Sequence, residues 1–174
     1  MKASRELIQR EGWSAVNIRS VAAACGVSVG SIYNYFDSNA ALISATVESV
    51  WCEIFHRPED GAVFQDAEAC ITWLYGRMEY GNNQYPGFFT LHSLSFMGED
   101  KSDGKRRMQQ TWQHILEGLC SVLQQDVKVR PDAFTKKFTA EKFADLLFSL
   151  MLSALLRQDY DPSAVLEIVR RTLY

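Results

Sequence analysis

Residues 17–42, NIRSVAAACGVSVGSIYNYFDSNAAL, constrain the fold more than any other stretch, because they spell two short helices set at a fixed angle by a glycine turn. Asn17 stands where a side-chain oxygen can accept a backbone N–H one turn into the first helix, and Ile18, Val21 and Ala22 share one face at i, i+3 and i+4. Gly26 follows where that helix must stop, at a position favouring left-handed backbone, and Val27 can plug the corner. Ser28 caps a second helix, Val29 to about Phe36, whose Ile32 and Phe36 point inward. Ser28, Val29, Ser31, Tyr33, Asn34 and Tyr35 are left to face outward or sideways. A short helix laid in a DNA groove presents its leading residues to base edges while flanking groups hold phosphates. Gly30 lets backbone approach closely, Val29 can touch a thymine methyl, Ser31 can bond a base edge or phosphate, and the Tyr33 and Tyr35 hydroxyls reach flanking phosphates.

The run Val21-Ala22-Ala23-Ala24-Cys25-Gly26-Val27-Ser28-Val29-Gly30-Ser31-Ile32-Tyr33-Asn34-Tyr35-Phe36, followed by Asp37-Ser38-Asn39-Ala40-Ala41-Leu42, resembles the DNA-binding signature of the tetracycline-repressor (TetR) family of bacterial transcription regulators. Several features coincide in register: the hydrophobic-Ala pair before glycine, the Gly-Val-Ser turn, the Tyr-Phe pair, and a new helix cap at Ser38. The resemblance implies an all-α chain. A three-helix helix-turn-helix domain would occupy residues 1–50, with a fourth helix running on to about 57, and a larger helical effector-binding and dimerisation domain would fill 51–174. It implies a sequence-specific regulator, a ligand-responsive repressor acting as a homodimer on a palindromic operator in double-stranded DNA. By resemblance Tyr33 is the phosphate-contacting tyrosine, and Asn17 and Arg19 sit where the family grips the backbone at the start of helix two. The family's first helix follows a polar, often basic arm, and here almost nothing precedes it. At the start of helix four the family usually carries a lysine, and this chain has Asn39. Losing one charged phosphate contact is expected to weaken binding and flatten its salt dependence by roughly one unit of slope.

At 174 residues the chain can bury a sizeable core, and its net charge of -3 gives no global attraction to phosphate. Within the first 50 residues Lys2, Arg5, Arg10 and Arg19 are balanced by Glu6, Glu11, Asp37 and Glu48. Cys25, Cys52, Cys70 and Cys120 lack a C-x-x-C spacing, and His56, His92 and His114 are scattered, so neither a metal nor another cofactor is expected. The thiols read as small buried apolar groups in a reducing cytoplasm. No apolar run reaches the ~18–20 residues a membrane span needs. There is no phosphate-cradling glycine loop, nucleophile elbow or paired-histidine motif, so no enzyme is expected. The alternatives are a thiol-responsive regulator, with Cys25 beside the turn, and a helical adaptor that binds only protein.

Elsewhere apolar spacing predicts helices over 1–11, over 38–55 and from Val63 to Tyr80, with Gly81-Asn82-Asn83-Gln84 as a turn. Arg57-Pro58-Glu59-Asp60-Gly61 breaks the fourth helix. A helix from Pro86 through Phe96, a polar loop over Gly98 to Gly104, and a long helix from Lys105 to about Asp126 follow. Trp73, Met78, Phe88, Phe89, His92 and Trp112 are expected to line a pocket for an apolar or aromatic effector. The helix from Thr139 is apolar on more than one face, and in the last helix, from Ser163, Val165, Leu166, Ile168, Val169 and Leu173 alternate with Glu167, Arg170 and Arg171. Leu146, Ser149, Leu150, Ser153, Ala154, Val165, Ile168 and Val169 are the expected dimer interface.

Overall fold

Every regular element among the described residues is helical. The computed structural model describes residues 1–55, 64–89 and 103–174, with 103–108 and 111 described by backbone alone. The helices are α1 (Lys2–Glu11), α2 (Ile18–Cys25), α3 (Val29–Tyr33), α4 (Asn39–Phe55), α5 (Ala67–Gln84), α6 (Asp103–Gln125), α7 (Ala140–Arg157) and α8 (Ser163–Leu173), with a 3-10 turn at Trp13–Ala15. The expected break at 57–61 and the pocket residue His92 lie outside the described residues.

Two compact units form, one from Met1–Ile54 with Gly81–Thr111, the other from Phe55–Tyr80 with Trp112–Tyr174. In the first, Gly12 ends α1 at φ 82° and Gly26 ends α2 in the left-handed region at φ 66°, each where a side chain would be strained. Leu7, Ile8, Ile18, Val21, Ala22, Ile32, Leu42, Val47, Val50, Trp51 and Ile54 form the core. Aromatic rings enlarge it: Phe88 stacks on Trp13 at 5.4 Å and meets the edge of Trp51 at 5.7 Å, and Phe89 lies 5.6 Å from Trp51. Arg5 reaches from α1 to Ser49 and Glu53 on α4, a half-buried tie between residues more than forty positions apart.

The turn expected at residues 81–84 is the last turn of α5. A β-carbon at Gly81 would stand 2.6 Å from Ile54 Cδ1 and 3.0 Å from Phe89 Cζ, so glycine serves close packing there and tertiary contact overrides its local preference.

The second unit is organised on Asp126, which is 6% exposed. Its carboxylate accepts from the first N–H of α5 at Ala67 (2.9 Å), from Lys128 N–H (2.9 Å) and from the Tyr174 hydroxyl. Burial and the bond to Asp126 push the Tyr174 phenol well above its ordinary range. Beside it, the Lys128 ammonium and the Ala69 N–H hold the Asp66 carboxyl below its usual value. Thr139 caps α7 through the Lys142 N–H, and Ala140, Phe143, Ala144, Leu147, Met151, Ala154 and Leu155 turn inward. No helix among the described residues is long and apolar enough to cross a membrane.

Candidate nucleic-acid interface

The helix-turn-helix is held by local hydrogen bonds that its sequence already contains. Asn17 Oδ1 accepts from the Arg19 and Ser20 N–H groups, both at 3.0 Å, while Ser20 Oγ accepts from Asn17 N–H at 3.0 Å. This is a reciprocal cap. Asn17 Nδ2 donates to the Ala15 carbonyl at 3.4 Å, so the Asn17 side chain is engaged within the domain. At α3, Ser28 Oγ accepts from Ser31 N–H at 3.1 Å and lies 2.9 Å from Ser31 Oγ. Ser38 repeats the cap at α4 by accepting from Ala41 N–H at 3.1 Å.

Between these caps the short α3 buries Ile32 alone and leaves its leading end in solvent. Ser28, Val29 and Gly30 are exposed, with Ser31 half-buried behind them. Tyr33 is 52% and Tyr35 81% exposed, too open for rings kept as packing, and Asn34 beside them is exposed. A β-carbon at Gly30 would meet nothing nearer than Ser28 Oγ at 3.7 Å, ordinary contact, so no neighbour inside the domain demands glycine. Its outer side is the open one, free for a groove to approach.

Charge on this surface is sparse. Lys2 pairs with Glu6 at 3.8 Å, Arg10 with Glu11 at 2.7 Å, and Arg5 with Glu53. Arg19 is exposed on the first turn of α2, and its guanidinium has no ion-pair partner among the described residues. Asn39 is exposed at the start of α4, but its Oδ1 accepts from the Ile18 N–H at 3.2 Å, a tie across 21 positions that spacing gives no means to anticipate. The Arg5 tie was equally invisible, since its partners obey no helical period.

The remaining expected residues are distributed more widely. Phe88 and Phe89 are in the first unit's core at 0% and 2% exposure. Trp73 and Trp112 are half-buried in the second unit, on Phe64 and Phe148 respectively, and Met78 is buried there. Leu146, Ser149, Leu150, Ser153 and Ile168 are exposed. Ala154, Val165 and Val169 are buried inside their own unit. The expectation of buried thiols is corrected at two positions: Cys70 is buried and Cys120 half-buried, but Cys25 and Cys52 are exposed, because each lies on the outer side of its helix.

Residues 1–46 match the family model for bacterial regulatory proteins, tetR family. No curated protein matches the chain. Among solved structures, the fatty acid degradation regulator FadR from Bacillus halodurans is similar in fold, with a TM-score of 0.54 at 13% identity over 98% of this chain and 90% of that one.

Proposed function

With an N-terminal domain of the tetR family of bacterial regulatory proteins as its premise, we propose that this DNA-binding transcription regulator works as a homodimeric, ligand-responsive repressor. The observation that carries the reading is the solvent-facing leading end of α3: Ser28, Val29, Gly30 and Ser31 precede exposed Tyr33 and Tyr35 on a scaffold fixed by the Asn17, Ser28 and Ser38 caps. Serine hydroxyls and a valine methyl there would read base edges, and the tyrosine hydroxyls and Arg19 would hold the flanking phosphates.

One head reads one half-site, so a palindrome calls for two copies at fixed spacing. Leu146, Ser149, Leu150 and Ser153 recur at i, i+3, i+4 and i+7 on the outer face of α7, and Ile168 on α8 is exposed as well. The small serines let backbones approach while the leucines supply apolar area. For an apolar or aromatic effector the second unit offers the half-buried indoles of Trp73 and Trp112, with Met78 buried in the same unit. Ligand would favour a state in which two reading heads no longer fit successive major grooves.

The test is selection of bound fragments from random duplex DNA by the purified full-length protein, followed by footprinting. A two-fold symmetric site protected by wild type is the expected result. Leu146→Glu with Leu150→Glu should yield a monomer that no longer protects both halves. Recovery of no sequence preference would refute the reading.

A further inference from the structure

The most informative polar contact in the head is the one Asn39 makes. A helix start leaves its leading N–H groups without intrahelical partners. In α2, Asn17 Oδ1 takes the N–H groups of Arg19 and Ser20, and the Asn17 carbonyl takes that of Val21 at 3.0 Å. That leaves Ile18 N–H, and no acceptor in the local cap remains for it. Asn39, the first residue of α4, supplies one from 21 positions away, at 3.2 Å. The side-chain Nδ2 of Asn39 has no partner among the described residues, nor do the backbone N–H groups of Asn39 and Ala40.

We propose that Asn39 is a positioning residue for DNA binding: its carboxamide oxygen locks the start of α2 to the start of α4, so that Arg19 and the leading N–H groups of α4 meet the phosphate backbone as one rigid unit. The chemistry explains the residue type. A carboxamide accepts on one side and donates on the other; a lysine ammonium has three donors and no acceptor, and a carboxylate has acceptors only. A lysine here would add a charge and leave Ile18 N–H open, whereas asparagine trades that charge for a fixed spacing between two helix starts. The inference rests on the DNA-binding reading above and assigns to Asn39 a part that sequence alone, which offered only a weakened phosphate contact, did not show.

The experiment compares wild type with Asn39→Ala, Asn39→Asp and Asn39→Lys in the full chain, on the duplex that wild type selects. Amide exchange at Ile18 reports the lock directly. Exchange should quicken about 3- to 10-fold in the Ala and Lys variants, the range expected for one lost hydrogen bond, and stay slow in the Asp variant, which keeps the acceptor. Affinity extrapolated to high salt, where phosphate attraction has faded, should fall by the same factor in Ala and in Lys, although Lys steepens the salt slope by about 0.9 per head. A role confined to folding would lower stability and leave that high-salt affinity in place. Unchanged Ile18 exchange in Asn39→Ala overturns the lock. Faster exchange with unchanged high-salt affinity overturns the positioning role. If wild type selects no duplex, the DNA reading fails, and with it the positioning role, while the exchange arm still decides whether the lock exists.

Discussion

Under the proposed reading, Arg19 is the strongest electrostatic lever on DNA binding. Residues 1–55 contain four cations, Lys2, Arg5, Arg10 and Arg19, and three of them face Glu6, Glu53 and Glu11. If Arg19 supplies one neutralised phosphate per head, two heads give a log–log salt slope of about -1.8, with smaller additions from helix N-termini. Raising salt about fourfold, from ~50 to ~200 mM, should then cost wild type only about 12-fold in affinity, where regulators with many phosphate contacts lose thousands. Arg19→Ala removes that side-chain contribution, and its affinity should be almost flat over the same range. The assay is fluorescence anisotropy on the selected duplex at five or so salt concentrations, with Lys2→Ala as control. The Lys2–Glu6 pair is a surface pair with its lysine mostly in solvent, so its removal should leave the slope in place. A wild-type slope steeper than about -4, or an Arg19→Ala slope equal to wild type, would refute the electrostatic assignment.

Asp126→Ala should destabilise the second unit by about 2–4 kcal/mol, because it strands the buried N–H of Ala67 and frees the Tyr174 hydroxyl at once. Urea denaturation of this variant, Tyr174→Phe and the double variant should show strong non-additivity, and a loss under about 1 kcal/mol for Asp126→Ala would contradict the hub. Gly81→Ala pits a helix-propensity gain of about 1 kcal/mol against overpacking of about 1–3 kcal/mol on Ile54 and Phe89, both fully buried. Net destabilisation of about 1 kcal/mol is expected by the same measurement, and a gain in stability would show that the contact yields freely.

The helices that could be read from sequence are those whose signals are local. Asn17, Gly26, Ser28, Ser38 and Thr139 each act within a turn of their own position, so the starts of α2, α3, α4 and α7 and the stops of α2 and α4 agree with the structure to within a residue or so, while α3 ends at Tyr33 rather than near Phe36. Residues 81–84 went astray for the opposite reason. Gly-Asn-Asn-Gln has turn composition, and only the approach of Ile54 and Phe89 makes helix the better state there. In α7 the apolar pattern was too broad to say which side faces out: Leu146 and Leu147 are adjacent in sequence, yet one is at 54% and the other at 3% exposure.

What this chain's sequence determined by itself is the reading head: where its helices begin, where the glycines turn them, and which hydroxyls and aromatics lead α3. These follow from hydrogen bonds and backbone preferences spanning a few residues. Tertiary structure alone decided the long-range polar ties, because Arg5 is drawn to Glu53 and the neutral Asn39 carboxamide to Ile18 across 48 and 21 positions. No period links such partners; they meet only when the burial of Leu42, Val47, Val50 and Trp51 has set α4 against the helices before it.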